Sequence, residues 1–347
     1  MSSTLTPTSL GFYLPPEWAP HAATWSVWPR DNDYWGGCLE AAQVDLARFL
    51  NTLSEFEPVR VLVHDEATAR EARKCLSRQI QLHQVPNRDI WLRDSGPLFL
   101  IHPLSTYLQE KLAGISWQFN GWGNRFPAEL DNQIPRCMAK ILNLRLFEPS
   151  LVLEGGAIET NGQGLCLTTR QCLLAPNRNP QLSASEIETY LHDYLGQTEV
   201  LWLSRGLEGD HTDGHIDTLT RFVDERTVVT SIGEDAADAN FAPMQSNLRQ
   251  LKAFRDRNGC ALTVIPLPLP RTSVQFAGER LPLTYANFYI ANGAVLVPTY
   301  GEPNDDEALG ILQGCFRDRR VIGLNALGLI HGGGAFHCAT QQQPAVD

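Results

Sequence analysis

Short apolar runs separated by turn residues recur along the chain, and three stretches repeat one plan: two strands, a helix and a further strand. In the clearest, LVLEGGAIET and GLCLTTRQCLL flank the turn Asn161-Gly162-Gln163-Gly164, a strong hairpin signal. Ser183, with Glu186 three residues on, forms a capping box that starts a helix through Ile187 and Leu191 to Leu195, and Gly196 stops it. The strand EVLWLS follows. The second unit is HIDTLTRFV, a turn at Asp224-Glu225-Arg226, TVVTSI, a helix from Met244 to Arg257 closed by Gly259, and the strand ALTVIPL. The third is YANFYIA, a turn at Asn292-Gly293, AVLVPTY, a helix from Asp305 to Arg319, and VIGLN.

Two looser units precede these. One spans about 80–148, with strands near Leu98 and Trp117 and a helix over Leu130–Leu142; the other has strands near Thr24 and at Val59–Val63 and a helix over Cys38–Leu53. Five similar units of about 60–70 residues thus follow one another, with no linker rich in Pro, Gly or Ser between them. Such repeats bury their cores against neighbours and can close into a ring, the first strands meeting the last. An ordinary α/β or α+β domain pair is the alternative reading.

At 347 residues, 43% hydrophobic and 19% charged, the chain is globular, and a disordered or low-complexity chain is excluded. Lys and Arg number 28 against 39 Asp and Glu, a formal charge of −11. That balance argues against nucleic acid or an anionic membrane as partner and suits a cationic substrate. No apolar run approaches the ~18–20 residues of a membrane span. The start, MSSTLTPTSLGF, has neither a basic nor an apolar segment, so no signal peptide is expected. The eight cysteines are scattered without a CxxC pair, which fits reduced thiols in a cytoplasm.

The informative residues are polar ones embedded in strand-like sequence: Asp94, Glu154, His215 with Asp217, Asn287 and Cys338. Positions 94, 154, 215, 287 and 338 are separated by 60, 61, 72 and 51 residues, so each unit offers one near the start of its hairpin. In a closed ring such places converge on the axis. Cys338 follows Gly332-Gly333-Gly334, where bare backbone permits close approach to a ligand. A buried structural cysteine is the plain alternative. His215 and Asp217, two apart, would face one side of a strand. His211 adds an HxxxHxD pattern open to a zinc reading, which Gly214 and the β-branched run oppose. Asp94 before Ser95-Gly96-Pro97 could be a turn residue alone. Glu154, among apolar neighbours, needs a partner if buried, and Arg93 is a candidate. Carboxylates round a nucleophile would oppose an oxyanion but suit a planar cation, because they bind guanidinium N–H pairs bidentately. A cysteine could then attack the guanidine carbon and expel ammonia.

The segments WLRDSGP, LEGG, GDHTDGHIDT, NFYIANGAVLVPTYGEPNDDEA and HGGGAFHCATQQQP resemble the signatures of the agmatine deiminase and bacterial peptidylarginine deiminase family, over about residues 12–344. That family belongs to the guanidine-modifying, pentein-fold superfamily. The resemblance implies an α/β propeller of five ββαβ-type units around a pseudo-fivefold axis, here one catalytic domain over 1–347. It implies that Cys338 attacks the guanidinium carbon to form a covalent amidino-thioether. His215 would protonate the leaving ammonia and then activate water, and Glu154 would orient His215. Asp94 and Asp217 would hold the guanidinium nitrogens, and Trp91 the aliphatic part of the substrate. Asn287 would occupy the remaining unit, behind the residues in direct contact. From TWSVWPRDNDYW, Trp28 and Asp31 are candidates near the distal end of the substrate.

One departure stands out: His211 occupies a place where many agmatine deiminases carry an acidic residue, and Asp210 and Asp213 are candidates to substitute in recognising the amine. The expected activity is agmatine deiminase, without metal or organic cofactor, serving polyamine synthesis. A deiminase of arginine or peptidyl-arginine is the nearest rival. A zinc hydrolase on His211, His215 and Asp217 is another. A Cys-Glu-Lys amidase would need a lysine, and Lys74, Lys111, Lys140 and Lys252 all lie away from the polar strand positions. The oligomeric state, a homo-oligomer included, stays open.

Overall fold

A computed structural model describes residues 5–30, 35–107 and 110–346. Among these residues the strands form five sheets of one plan and a separate two-stranded hairpin, Gln275–Phe276 with Glu279–Arg280. In four sheets the first two strands pair antiparallel and the third lies parallel to the second, reached through a helix. Leu98–Ile101, Leu112–Ile115 and Arg145–Phe147 make one, with helix Ile134–Leu142. Ile158–Thr160, Leu165–Thr169 and Glu199–Leu203 make the next, with Ala184–Leu195. Thr220–Phe222, Thr227–Ile232 and Thr263–Pro268 follow, with Phe241–Ala253. Tyr289–Ala291, Ala294–Thr299 and Arg320–Asn325 follow in turn, with Asp305–Cys315.

The fifth sheet joins the two ends of the chain. Thr340–Pro344 pairs antiparallel with His21–Val27, which runs parallel to Val59–Val63 across helix Leu39–Leu53. Gln81–Gln84 adds an outer strand.

Local chemistry accounts for these elements. In the hairpin at 161–164, Gly162 and Gly164 adopt φ of 70° and 93°. Asn161 Oδ1 accepts from the Gln163 and Leu165 amides, so its side chain closes the turn. The capping box on Ala184–Leu195 forms as expected, and left-handed Gly196 ends the helix. Asn292, in the turn before Gly293, exchanges hydrogen bonds with the His21 backbone and ties one sheet to the first. Buried apolar side chains link neighbouring units, as where Phe49 stacks on Phe336 with centroids 4.4 Å apart.

Several boundaries differ from expectation. The second-unit helix begins at Phe241 and ends at Ala253, before Arg255 bridges to Ala261. The next ends at Cys315, not Arg319. The strand sought near Trp117 lies at Leu112–Ile115. More important, the polar site residues are not strand-borne. Asp94 lies in the helical turn Leu92–Ser95, Glu154 caps the 3-10 turn Gly155–Ala157, and His215 caps Ile216–Thr218, which contains Asp217. The same-face argument for His215 and Asp217 therefore does not apply; a turn, not a pleat, sets their directions.

Candidate active site

Each of these turns directly precedes the first strand of its sheet. Asp94 stands before Leu98, Glu154 before Ile158, Asp217 before Thr220, Asn287 before Tyr289 and Cys338 before Thr340. The turn holding Asp94 closes through Gly96 N–H to Leu92 O at 2.8 Å, and Pro97, with no N–H to donate, ends it. Gly155 packs on that turn so closely that a Cβ would fall 2.2 Å from Arg93 O. At Gly156 a Cβ would lie 2.7 Å from His215 Nδ1, 2.9 Å from Asp94 Oδ1 and 3.0 Å from Asp217 Oδ2. Three side chains from two other sheets thus converge on Gly156, where a hydrogen atom replaces a side chain.

The converging groups are buried. The His215 ring lies between carboxylates, Nδ1 3.7 Å from Asp94 Oδ1 and Nε2 3.9 Å from Glu154 Oε2. Neither ring nitrogen has a hydrogen-bond partner, nor does Glu154 Oε2 or Asp217 Oδ1. Such orphaned buried polar atoms mark a place prepared for a ligand or water. Asp94 accepts from Trp122 Nε1 and from Gly156 N–H, both at 2.9 Å. Asn287 donates to Cys338 Sγ at 3.1 Å and to Asp217 Oδ2 at 3.2 Å, while its Oδ1 accepts from the Ala335 and Cys338 amides. It therefore templates the turn that presents the thiol. Cys338 Sγ lies 3.4 Å from Asp217 Oδ2.

Burial and crowding of like charge raise the Asp94 carboxyl well above its ordinary range, with Asp217 and Glu154 adding to the effect. Burial also raises Glu154, although the Arg178 guanidinium opposes it. Asp217 goes the other way: burial pushes it up, but the hydrogen bond and charge of His337 outweigh that and hold it low. Burial, followed by Asp217 and Asp94, drives the Cys338 thiol well up. Burial lowers His215 to about 4.

Of these groups, Asp94 and Cys338 line a slot shared with Trp35, Trp91, Trp122, Phe126 and Phe276 and with Gly332–Gly334. Asp89, His211 and Glu279 also line it, and His211 Nε2 is 3.4 Å from Glu279 Oε2.

The structure thus brings together Asp94, Glu154, His215, Asp217, Asn287 and Cys338, and sets Trp91 along the slot. Other expectations change. The partner of Glu154 is Arg178, at 2.7 Å, whereas Arg93 pairs with Glu17. Asp210 is taken up by Thr212 and the His215 amide, and Asp213 by Arg178, Arg125 and Asn177, so neither lines the slot. Trp28 is core; Trp35 lines the slot from the same segment, and Asp31 lies outside the described residues. His211, His215 and Asp217 do not assemble as metal ligands. The groups close enough to do so, among the described residues, are Glu154, Cys172, His215 and Glu17, Glu159, His337. The first set has a thiol that burial drives far up and a carboxylate already held by Arg178; the second is engaged by Arg93 and Arg221. Arg178, Trp122, Glu17 and Glu279 carried no sequence signal, since each sits in an irregular or short segment without periodicity.

A thiol and a carboxylate lining an aromatic slot, with a buried imidazole and further carboxylates packed behind them, are suited to attack by sulfur on a planar cationic carbon, the equipment of a thiol-dependent hydrolase of carbon–nitrogen bonds. Residues 13–344 match the family described as Porphyromonas-type peptidyl-arginine deiminase, and the chain belongs to that family. The agmatine deiminase of Ectopseudomonas mendocina (strain ymp) is 36% identical over 365 residues, 99% of this chain and 98% of that protein. The structure of an Enterococcus faecalis agmatine deiminase matches with TM-score 0.93 and 32% identity over 99% of this chain and 98% of that one. A substrate-bound C. jejuni agmatine deiminase, a Cys-to-Ser variant, matches with TM-score 0.88 and 30% identity over 96% and 97% of the two chains.

Proposed function

We propose that the chain is an agmatine deiminase that hydrolyses agmatine to N-carbamoylputrescine and ammonia, on a route from arginine to putrescine in the cytoplasm. One observation carries the reading: Cys338 and Asp94 line one aromatic slot, and Asp217, His215 and Glu154, from two further sheets, pack against them. On this reading the five sheets form a closed ring about a pseudo-fivefold axis, one catalytic domain over 1–347.

The guanidinium enters between Asp94 and Asp217, which take its N–H pairs. Its charge lowers the cost of ionising Cys338, whose proton passes to His215. The thiolate attacks the guanidinium carbon, the carbon–nitrogen bond breaks, and protonated His215 gives its proton to the departing ammonia. A water molecule, deprotonated by neutral His215, adds to the amidino-thioether. The carbon–sulfur bond then breaks, leaving the ureido product and the thiol. Glu154, fixed by Arg178, holds His215 between these tasks.

The rival is a deiminase of arginine or peptidyl-arginine. An α-carboxylate would enter a slot that already carries Asp89 and Glu279, at a cost of about 1–3 kcal/mol. Incubation with agmatine, arginine and an arginyl peptide, assayed for ureido product, tests this. Agmatine should lead in kcat/KM by about tenfold to a hundredfold or more, and Cys338→Ser should abolish turnover. Comparable efficiency on arginine or the peptide would transfer the assignment to the rival.

A further inference from the structure

Behind the slot lies a buried chain of charges that this reaction does not use. His337 Nδ1 is 2.7 Å from Asp217 Oδ2, and its Nε2 is 2.8 Å from Glu17 Oε1. Ionised carboxylates only accept hydrogen bonds, so a ring held between two of them satisfies both by donating from both nitrogens. Glu17 is itself a hub. Its Oε1 accepts from Arg93 Nη1 at 3.1 Å and its Oε2 from Arg221 Nη2. Arg93 precedes Asp94, and its backbone amide donates to Cys338 O. Arg221 Nε donates to Glu159 at 2.7 Å, and its Nη1 to the carbonyls of Ala286 and Phe288, on either side of Asn287. One carboxylate from the N-terminal segment therefore gathers cations attached to the elements that present Asp94, Asp217, Asn287 and Cys338.

We propose that Glu17 and His337 are positioning residues that keep Asp217 ionised and aimed, its Oδ2 consumed by His337 and its Oδ1 left for the substrate guanidinium. The inference rests on the deiminase reading for the identity of the ligand. Asp217 Oδ1 has no protein partner, which is the vacancy this arrangement requires. Asp217 also departs from its neighbours. Burial raises Asp94 and Glu154, whereas Asp217 is lowered, and His337 leads the groups that lower it. The groups that face or influence Asp217 are His337 and Arg221 on the positive side, the His215 ring, neutral at pH 7, and Cys338, Asp94 and Asp210 on the other. Glu17 in turn feels His337, Arg93, Arg221 and Glu159. Removing His337, or the charge of Glu17 that holds it, takes away the largest of the favourable contacts.

The test is the pH profile of kcat/KM on agmatine for the wild type, Glu17→Gln and His337→Gln. The acidic limb should move to higher pH by about one unit in both variants, with KM at the low-pH end rising about tenfold and kcat at the plateau changing less. Butylguanidine, which lacks the distal amine, should show the same displacement, because Asp217 addresses the guanidinium. Glu17→Gln keeps the shape and one acceptor oxygen, and it carries the test alone if His337→Gln does not fold. A second readout needs no turnover: the ¹³Cγ signal of Asp217 should report an ionised carboxylate down to below the ordinary aspartate value of 3.8 in the wild type and titrate at higher pH in the variants. An unmoved acidic limb, or an Asp217 signal that titrates alike in all three proteins, would overturn the proposal. Loss of all turnover on guanidines in the wild type, with the Asp217 titration behaving as stated, would fault the deiminase reading and leave this inference standing.

Discussion

The thiol of Cys338 stands in a field that opposes its ionisation. Burial is the largest cause, and Asp217 and Asp94 reinforce it. His215, lowered to about 4 by burial, is neutral at pH 7 and offers no positive partner. The free protein therefore holds a thiol and a neutral imidazole in one site. A bound guanidinium reverses the local charge at the step that needs thiolate, so the substrate activates its own nucleophile. At neutral pH a cationic haloacetamidine should label Cys338 at least about tenfold faster than a neutral haloacetamide of the same size, since each unit of pKa is a factor of ten. Agmatine should protect, and Asp94→Asn or Asp217→Asn should shrink the preference. Equal rates for the two reagents would mean that the thiolate exists without substrate.

At the scale of elements, the turn before each first strand does the placing, and other elements hold those turns. Asp131, in the 3-10 turn Asp131–Gln133 that leads into helix Ile134–Leu142, accepts the Arg88 amide at 2.7 Å. It thereby fixes the loop that carries Asp89 and Trp91. Burial raises Asp89 to about 7, with the charge of Asp131 adding to it, and burial raises Asp131 to about 6. Both groups bind a proton more tightly folded than unfolded. Their contribution is therefore most favourable at low pH and is lost as pH rises from about 4 through 6–7. Asp131→Asn keeps a carbonyl for Arg88 and removes the charge. Melting curves should show a gain of several degrees in Tm at pH 8 and almost none at pH 4. A lower Tm at pH 8 would show that the charge itself, through Arg88 and Arg30, holds the loop.

Across the whole molecule, the site exists only where five sheets meet. Cys338 belongs to the sheet that joins residues 340–344 to 21–27, Asp94 to the next, Glu154 to the third, His215 and Asp217 to the fourth, and Asn287 to the fifth. Opening any one sheet would move a site residue by more than the ~1 Å that costs about a hundredfold in rate. Deiminase activity and circular dichroism should accordingly fall together in a single thermal transition. Activity lost well below the structural midpoint would identify a sheet that opens independently, against the reading of 1–347 as one unit.

The plan of the units was legible in the sequence because hairpin turns and helix caps are local chemistry. Asn161-Gly162, Asn292-Gly293 and the Ser183–Glu186 box depend on residues a few positions apart, and each forms as read. Asp94, Glu154, His215, Asp217, Asn287 and Cys338 were also legible, because a polar residue in apolar sequence is costly unless something answers it. What answers each was decided only by the tertiary structure. Glu154 takes Arg178 rather than Arg93, and Asp210 and Asp213 are spent on their own loop while Glu279 reaches the slot. Asp217 is held by His337, which Glu17 holds from 320 positions away in the chain. The physical reason is range. A cap or a turn is settled by its own covalent neighbours, whereas a buried charge takes whichever opposite charge the packing of separate sheets brings within hydrogen-bond distance, and no spacing along the chain encodes that choice.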